Sequence, residues 1–510
     1  MMLLLRLKRW AARLLPIALS TSALLLGQVN GAMVGTVRDS AGGAIAGARV
    51  TATDRNTGIV HSQTTDASGN YLFSVLPVGV YTISFTADRF EPLRVDDVGI
   101  HVAATIRQDA ALSIARLNSI VEVTSSTPMV ESETSEMGQL VDSRQVTQLP
   151  LNGRDVYSLL QLTAGTETGV SAAARFTSLE RPTVAGGRAG YTVFRINGVD
   201  INTENLPSAS ITPNVDSVQE FRSIIAMAPA SEMSSSSVDV VTRAGTGQFH
   251  GDLYDFFRNN VLDVHPFFER DVVAPGFTPM SDQLRYNQFG GSLGGPIRKN
   301  RTFFFAGIQS TRDHTTSQVT ETYPTSQMLI GNFSGVNPLS GSALQNFGAV
   351  NDPSTGKSFP GNLIPASRVS GFAHGFSQIG FLPANCPACQ AGGLGFNFVG
   401  EEPALNDRDQ YLGRIDHHFG DRDSIFGSFE IESAIATSTP SPIPISVMNT
   451  PTRGYGVQLN ETHIFSPALL NEFRAGYTRL RETLEQQQSA TGAFAFQNTP
   501  TSLPSLYPTL

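Results

Sequence analysis

The chain has 510 residues, with 35 Lys and Arg against 44 Asp and Glu, for a formal net charge of -9. That balance excludes an ordinary nucleic-acid binder, which carries a basic patch or domain. Charged residues make up only 15% and glycine reaches 47, a composition that points to a large all-β chain rich in turns.

Arg6, Lys8, Arg9 and Arg13 precede a short apolar run over residues 16–26, and small residues follow, with Val29 and Gly31 a workable cleavage pair. This reads as an export signal over residues 1–31, with the mature chain starting near Ala32. The run is shorter than the about 20 residues a membrane-spanning helix requires. No later run of 18 apolar residues occurs. A membrane location would therefore require a closed barrel, in which every backbone group is paired.

Residues 32–116 alternate in short stretches separated by turn residues. Ala48, Val50 and Ala52 form one set, Tyr71, Phe73 and Val75 another, and Tyr81, Ile83 and Phe85 a third. Strands at this spacing predict a β-sandwich. Gly35-Thr36-Val37-Arg38-Asp39, Gly69-Asn70-Tyr71-Leu72-Phe73 and Leu76-Pro77-Val78-Gly79-Val80-Tyr81 resemble the carboxypeptidase-regulatory-like domain, a non-catalytic module. Arg89 stands where that family usually has Gly, so the turn before Phe90 is expected to be built differently.

Ile120, Val121, Glu122, Val123 and Thr124 form a short, β-prone stretch flanked by Ser125, Ser126 and Thr127. Such a segment can add to a partner's sheet edge through main-chain hydrogen bonds, or be a plain linker strand. Within the linker 117–127, its position before the next module resembles a TonB box.

Residues 128–245 carry Leu149-Pro150-Leu151-Asn152-Gly153-Arg154-Asp155, with Leu159, Leu160 and Leu162 at helical spacing after it. Arg195-Ile196-Asn197-Gly198-Val199-Asp200 and Val215-Asp216-Ser217-Val218-Gln219-Glu220-Phe221 follow. These motifs resemble the α/β plug domain of Oar-like TonB-dependent receptors. Asn152-Gly153 and Asn197-Gly198 are type I′ turn signals, the second predicting a hairpin. Arg154 and Asp155 are candidates to pair. Asn197 replaces the family's usual Asp, and Ser234, Ser235, Ser236 and Ser237 replace a Gly-rich stretch; both put local loop geometry in question.

After Gln248 the pattern becomes that of outer-membrane strands, apolar outward and polar inward. Tyr411, Gly413, Ile415, His417 and Phe419 share one face, against Gln410, Leu412, Arg414, Asp416 and His418. Ile425, Gly427, Phe429 and Ile431 face outward, against Ser424, Phe426, Ser428, Glu430 and Glu432. A register slip by one residue would place the charged set in lipid. Short turns at residues 296–301, 420–423 and 466–467 alternate with long segments at 258–284, 313–408 and 434–453. Seven strands are counted over residues 248–480. Since bacterial barrels have even strand numbers, residues 246–510 are expected to be the N-terminal part of an antiparallel transmembrane barrel, and the chain part of a longer protein.

Three motifs suggest other chemistry. Gly290-Gly291-Ser292-Leu293-Gly294 matches a nucleophile elbow, but Pro296 and the Phe-rich stretch after it exclude the required helix. His417 and His418 are neighbours on a strand and point to opposite faces. Cys386 and Cys389, in a Gly- and Pro-rich segment of an exported chain, read as a loop-stapling disulfide ahead of a redox or half-zinc site. No cofactor, metal site or enzymatic constellation is expected. The resemblance implies an outer-membrane receptor taking up an unknown substrate (an oligosaccharide, peptide or siderophore). Its partners would be a TonB-type inner-membrane energy transducer, outer-membrane lipid and an unknown extracellular ligand, with no nucleic acid. The alternative is a structural or adhesion protein of the cell surface without transport.

Overall fold

The computed structural model describes residues 29–114, 121–124, 136–149, 151–168, 182–188, 190–203, 209–226, 234, 236–263, 283–335, 348–369, 396–420, 422–438, 446–466 and 469–488. The expected export signal, Cys386 and Cys389 lie outside the described residues, apart from the three residues at the signal's end.

The first module contains β1 (Gly31–Asp39), β2 (Arg49–Asp54), β3 (Val60–Thr64), β4 (Asn70–Leu76), β5 (Gly79–Thr86), β6 (Leu93–Ile100), β7 (Thr105–Arg107), β8 (Ala110–Leu112) and β9 (Val121–Thr124). One sheet has β1 at its centre, pairing β4, β7 and β8; the other runs β3-β2-β5-β6-β9. Alternate side chains enter the shared core, as period-two strands demand: Met33 and Val37 from β1, Val50 and Ala52 from β2, and Tyr81, Ile83 and Phe85 from β5 are all fully buried. Tyr71 meets Phe73 and Phe85 edge-on, with centroids 5.9 and 5.8 Å apart.

In the turn before Phe90, Arg89 adopts φ +71°, the left-handed conformation that glycine supplies freely, and Arg89 bears the strain of a side chain held there.

The plug consists of β10 (Met137–Asp142), α1 (Ser143–Gln148), β11 (Thr166–Thr168), β12 (Pro182–Val184), β13 (Val193–Ile196), β14 (Val199–Asp200), β15 (Val218–Ala226) and β16 (Ser237–Thr242). Its main sheet runs β10-β15-β16-β13-β14. Asp142 caps α1 through the Gln145 amide, and the Gln145 side chain returns the bond, a reciprocal cap that satisfies two end amides. Leu159 and Leu160 are fully buried, while Leu162 is exposed. They lie on a 3₁₀ segment, Val156–Leu162. Asn197 and Gly198 have φ +49° and +74° and close the β13–β14 hairpin as expected. The first turn signal resolves otherwise: positive φ falls at Gly153 and Arg154, inside the 3₁₀ turn Asn152–Arg154, which joins two helical segments and closes no hairpin.

The remaining strands are β17 (His250–Asn259), β18 (Gln283–Arg298), β19 (Thr302–Glu321), β20 (Phe398–His418), β21 (Asp423–Ser438), β22 (Ser446–Ser466), β23 (Leu469–Glu482) and β24 (Glu485–Gln488). They form one antiparallel wall in sequence order from β17 to β23, with β24 also pairing β22. Among the described residues β17 and β23 are its edges, so the wall is an open sheet and not a closed ring. The expected facing holds. Tyr411, Ile415, Phe429 and Ile435 are exposed outward, and Gln410, Leu412, Phe426, Ser428, Glu430 and Glu432 are buried inward.

The long segments are shorter than the sequence predicted. β19 runs to Glu321, β20 starts at Phe398, and β21 and β22 leave only residues 439–445 between them. On the outer face Phe304 and Ile308 give way to an ion pair, Arg312 to Asp409 at 2.9 Å, beside Ser310 to Asp409 at 2.6 Å. Above that level β19 is polar on both faces apart from Val319, so its alternation disappears while the ladder continues. At the opposite rim Phe249, Phe419 and Phe465 are exposed, with His417 and His463 edge-on to Phe419 and Phe465 at 4.4 and 4.2 Å. An aromatic girdle of this kind marks the membrane interface.

Candidate functional site

The plug sheet lies against the inner face of the wall, and glycines allow the close approach. A Cβ on Gly307 would meet the Ser217 hydroxyl, one on Gly454 would come 2.8 Å from the Ser210 carbonyl, and one on Gly476 would collide with Val199. Gly456 likewise faces Ile211.

Around these gaps, neutral amides and hydroxyls make most of the contact. Asn197 is fully buried; its Nδ2 donates to Thr242 Oγ1 at 2.9 Å, Ser428 Oγ at 3.1 Å and Gln458 Oε1 at 3.2 Å. Its Oδ1 accepts from the Thr242 amide at 3.0 Å. An Asp here would lack the amide donors, so the departure from the family's usual residue fits this wall. Gln410 donates to the Thr212 carbonyl, Glu432 accepts from the Thr212 amide at 2.8 Å, and Gln288 reaches the Gly153 carbonyl at 3.3 Å.

Arg154 and Asp155 do not pair with each other. Arg154 bonds Asp216 at 2.7 Å and lies over the rings of Tyr254 and Phe256 at 4.8 and 4.9 Å, tying the plug to β17. Asp155 caps the next 3₁₀ segment through the Tyr157 amide at 2.9 Å. Burial pushes its carboxyl above the usual range, and Arg408 opposes that shift. Asp200 accepts from the Asn202 amide at 2.7 Å. Ser236 and Ser237 fill the Gly-rich position by hydrogen bonding: Ser236 with Thr192 at 3.1 Å, and Ser237 to Asp239 at 3.1 Å.

The sandwich meets the plug through a charged clamp that sequence reasoning missed. Glu220 Oε1 lies 2.6 Å from His101 Nδ1, and its Oε2 accepts from the Val102 amide at 2.9 Å. Arg222, two residues along β15, donates to the Val102 carbonyl and to Glu136, each at 2.9 Å. The clamped turn contains Ala103 at φ +54°. The hint in the sequence is that Glu220 and Arg222 place two charges in a strand whose other residues are all uncharged. The sandwich also touches the short-turn rim, where the Gly247 amide donates to the Asn56 carbonyl at 2.8 Å. A cavity at this three-way junction is lined by Asp54, Tyr81, Thr242, Arg414 and Asp416. Burial raises the Asp54 carboxyl above its ordinary value.

Of the TonB-box-like residues, Ile120 lies outside the described set, and Val121, Glu122, Val123 and Thr124 form β9. This strand pairs in parallel with β6, Leu93 opposite Val121 through Asp96 opposite Thr124.

Ser292 sits mid-strand in β18 and donates to Asp252, which removes the helix a nucleophile elbow requires. His417 accepts or donates with Thr302 at 2.8 Å. Among the described residues no group of three or more His, Cys, Asp or Glu is placed to hold a metal, and no helix is long and apolar enough to cross a membrane.

Residues 241–509, more than half of the chain, match the family model described as Outer membrane beta barrel domain. Residues 32–113 match the Carboxypeptidase regulatory-like domain. The TonB-dependent transporter Oar of Myxococcus xanthus is 25% identical over 274 residues, covering 51% of this chain and 24% of Oar; the matched stretch thus spans about a quarter of that relative. The outer membrane transporter YddB of Escherichia coli aligns with 11% identity and TM-score 0.42, over 67% of this chain and 38% of YddB. The siderophore receptor PirA of Acinetobacter baumannii aligns with 12% identity and TM-score 0.32, over 68% of this chain and 44% of PirA.

Proposed function

Since the chain belongs to the outer membrane β-barrel family and resides in the outer membrane, we propose that it forms the periplasmic module, plug and first wall strands of a TonB-dependent receptor. In this reading a substrate binds the plug and outer loops, a TonB-type inner-membrane transducer pulls the segment at Ile120 to Thr124, and the plug shifts against the wall to open a path. The relative in Myxococcus xanthus, described as a TonB-dependent transporter, supports the energy-coupled part.

The observation that carries this reading is the character of the plug–wall contact. Neutral hydrogen bonds such as Asn197 with Ser428 and Gln458 each contribute only about 1 kcal/mol net, because water or a new partner can replace them. The substrate is unknown; an oligosaccharide, peptide or siderophore would suit such a receptor.

Deletion of residues 120–124 tests the proposal. Uptake should fall to background while the protein remains in the outer membrane. Unchanged uptake with altered cell contact would instead support a surface-interaction role.

A further inference from the structure

The turn between β18 and β19 reads Arg298-Lys299-Asn300-Arg301, three cations and no acid in a chain of formal net charge -9. Asn300 adopts φ +58°, and the Arg301 amide donates to the Arg298 carbonyl at 3.1 Å. A turn closed in this way brings its first and last Cα atoms within about 7 Å, so the three charges gather in the breadth of one headgroup. All four residues are exposed. Two described carboxylates of this rim, Asp416 and Asp423, already have partners, Arg414 at 2.7 Å and His463 at 2.5 Å. Like charges this close repel one another, and an anion shared among them removes that cost.

The level of the turn decides which anion. It stands at the short-turn rim, where exposed Phe249, Phe419 and Phe465 mark the membrane interface. The His418 amide donates to the Arg301 carbonyl at 2.8 Å, which sets Arg301 beside the pair His417 and Phe419. Just above, Leu293 and Ile297 of β18 are exposed on the lipid face. Between them Phe249 lies over Gly295, where a Cβ would meet its ring, and packs on Phe304 with centroids 6.3 Å apart. We infer that this turn is a binding site for an anionic phospholipid of the periplasmic leaflet, its phosphodiester held by Arg298, Lys299 and Arg301 and its acyl chains laid along Leu293, Phe249 and Ile297. A guanidinium donates paired bonds to phosphate oxygens, and the ammonium adds a compact charge beside them. A zwitterionic lipid brings its own cation into the patch and is disfavoured. A soluble anion meets the charges and gains nothing from the apolar face.

The test titrates the full chain, in mild detergent, with phosphatidylglycerol or with phosphatidylcholine, and counts bound lipid by intact mass. Each cation near an anionic lipid surface contributes about fivefold. The expected result is therefore one phosphatidylglycerol bound at least about tenfold more tightly than phosphatidylcholine, with the preference falling as salt rises. The triple variant R298Q/K299Q/R301Q should bring the two lipids within about twofold of each other. The charge-matched variant R453Q/R479Q/R481Q, which removes three exposed cations toward the other end of β22 and β23, should keep the preference. A triple variant that still prefers phosphatidylglycerol overturns the site, as does a charge-matched variant that loses as much. A preference indifferent to salt in the unaltered chain also overturns it, whether or not the variants fold. Displacement of the lipid by an equal concentration of glycerophosphoglycerol, the same headgroup without acyl chains, would make this a site for a soluble anion and overturn the lipid assignment.

Discussion

The plug has two neighbours and meets them by different physics. Toward the sandwich it offers charge: Glu220 and Arg222, each only 4% exposed, grip the turn at His101 and Val102, and Arg222 also holds Glu136. Toward the wall it offers mostly amides, hydroxyls and empty space beside glycine, with single charges, Arg154 over the β17 rings and Glu432 and Arg414 of the wall on Thr212 and Thr242, spread between them. A buried ion pair is hard to break halfway, because removing one partner strands the other in low dielectric. A layer of neutral hydrogen bonds can be exchanged one at a time. The first surface suits two modules that travel together, and the second suits a surface that must part.

The largest expected effect attacks the charged side. Arg222→Ala leaves the Glu136 carboxylate uncompensated and the Val102 carbonyl without its donor, and should destabilise the sandwich–plug junction by about 3–5 kcal/mol, read as early proteolysis between residues 114 and 136. Asn197→Ala on the wall side removes donors from a fully buried cluster. It should cost about 2 kcal/mol, visible as faster amide exchange in β13 and β14, with the sandwich unchanged. If Asn197→Ala loosens the sandwich junction as much as Arg222→Ala does, the contrast between the two surfaces is lost. Gly307→Val drives a side chain into Ser217 and should cost about 1–3 kcal/mol, measured by thermal melting of the plug in a wall that remains inserted. Phe256→Leu removes one of the two rings under Arg154 and should weaken plug–wall attachment by about 0.5–1 kcal/mol, read as increased exchange at residues 152–156. The smallest effect lies away from both surfaces: Arg89→Gly relieves the left-handed backbone and should raise sandwich stability by about 0.5 kcal/mol, after the entropy cost of glycine.

The wall was legible in the sequence because a period of two combined with charge leaves one register that keeps Arg414, Asp416, Glu430 and Glu432 out of lipid. Strand ends were not legible. Past Ser310 β19 is polar on both faces apart from Val319, so residues such as Thr315 and Thr316 carry no facing signal although the ladder places them opposite Ala404 and Pro403. Asn197 and Gly198 announced their turn because both residues tolerate positive φ. Arg89 and Arg154 gave no such sign, since arginine enters that region only when its surroundings impose it. The clamp was invisible for a similar reason: Glu220 gains its meaning from His101, 119 positions away, and no local pattern records that partner.

The continuation of β19 beyond the lipid has a further consequence. From Ser310 to Glu321 the strand adds about 12 residues at about 3.3 Å each, which at a tilt near 40° rises roughly 30 Å. With β20 beside it this hairpin is a mast. It carries the Asn397 and Tyr323 junction, where the Asn397 side chain bonds both the amide and the carbonyl of Tyr323 at 2.8 and 2.9 Å, well clear of the bilayer surface. On the proposed transport reading, a substrate caught by the outer segment is first met at that height and travels the length of the mast before it reaches the plug.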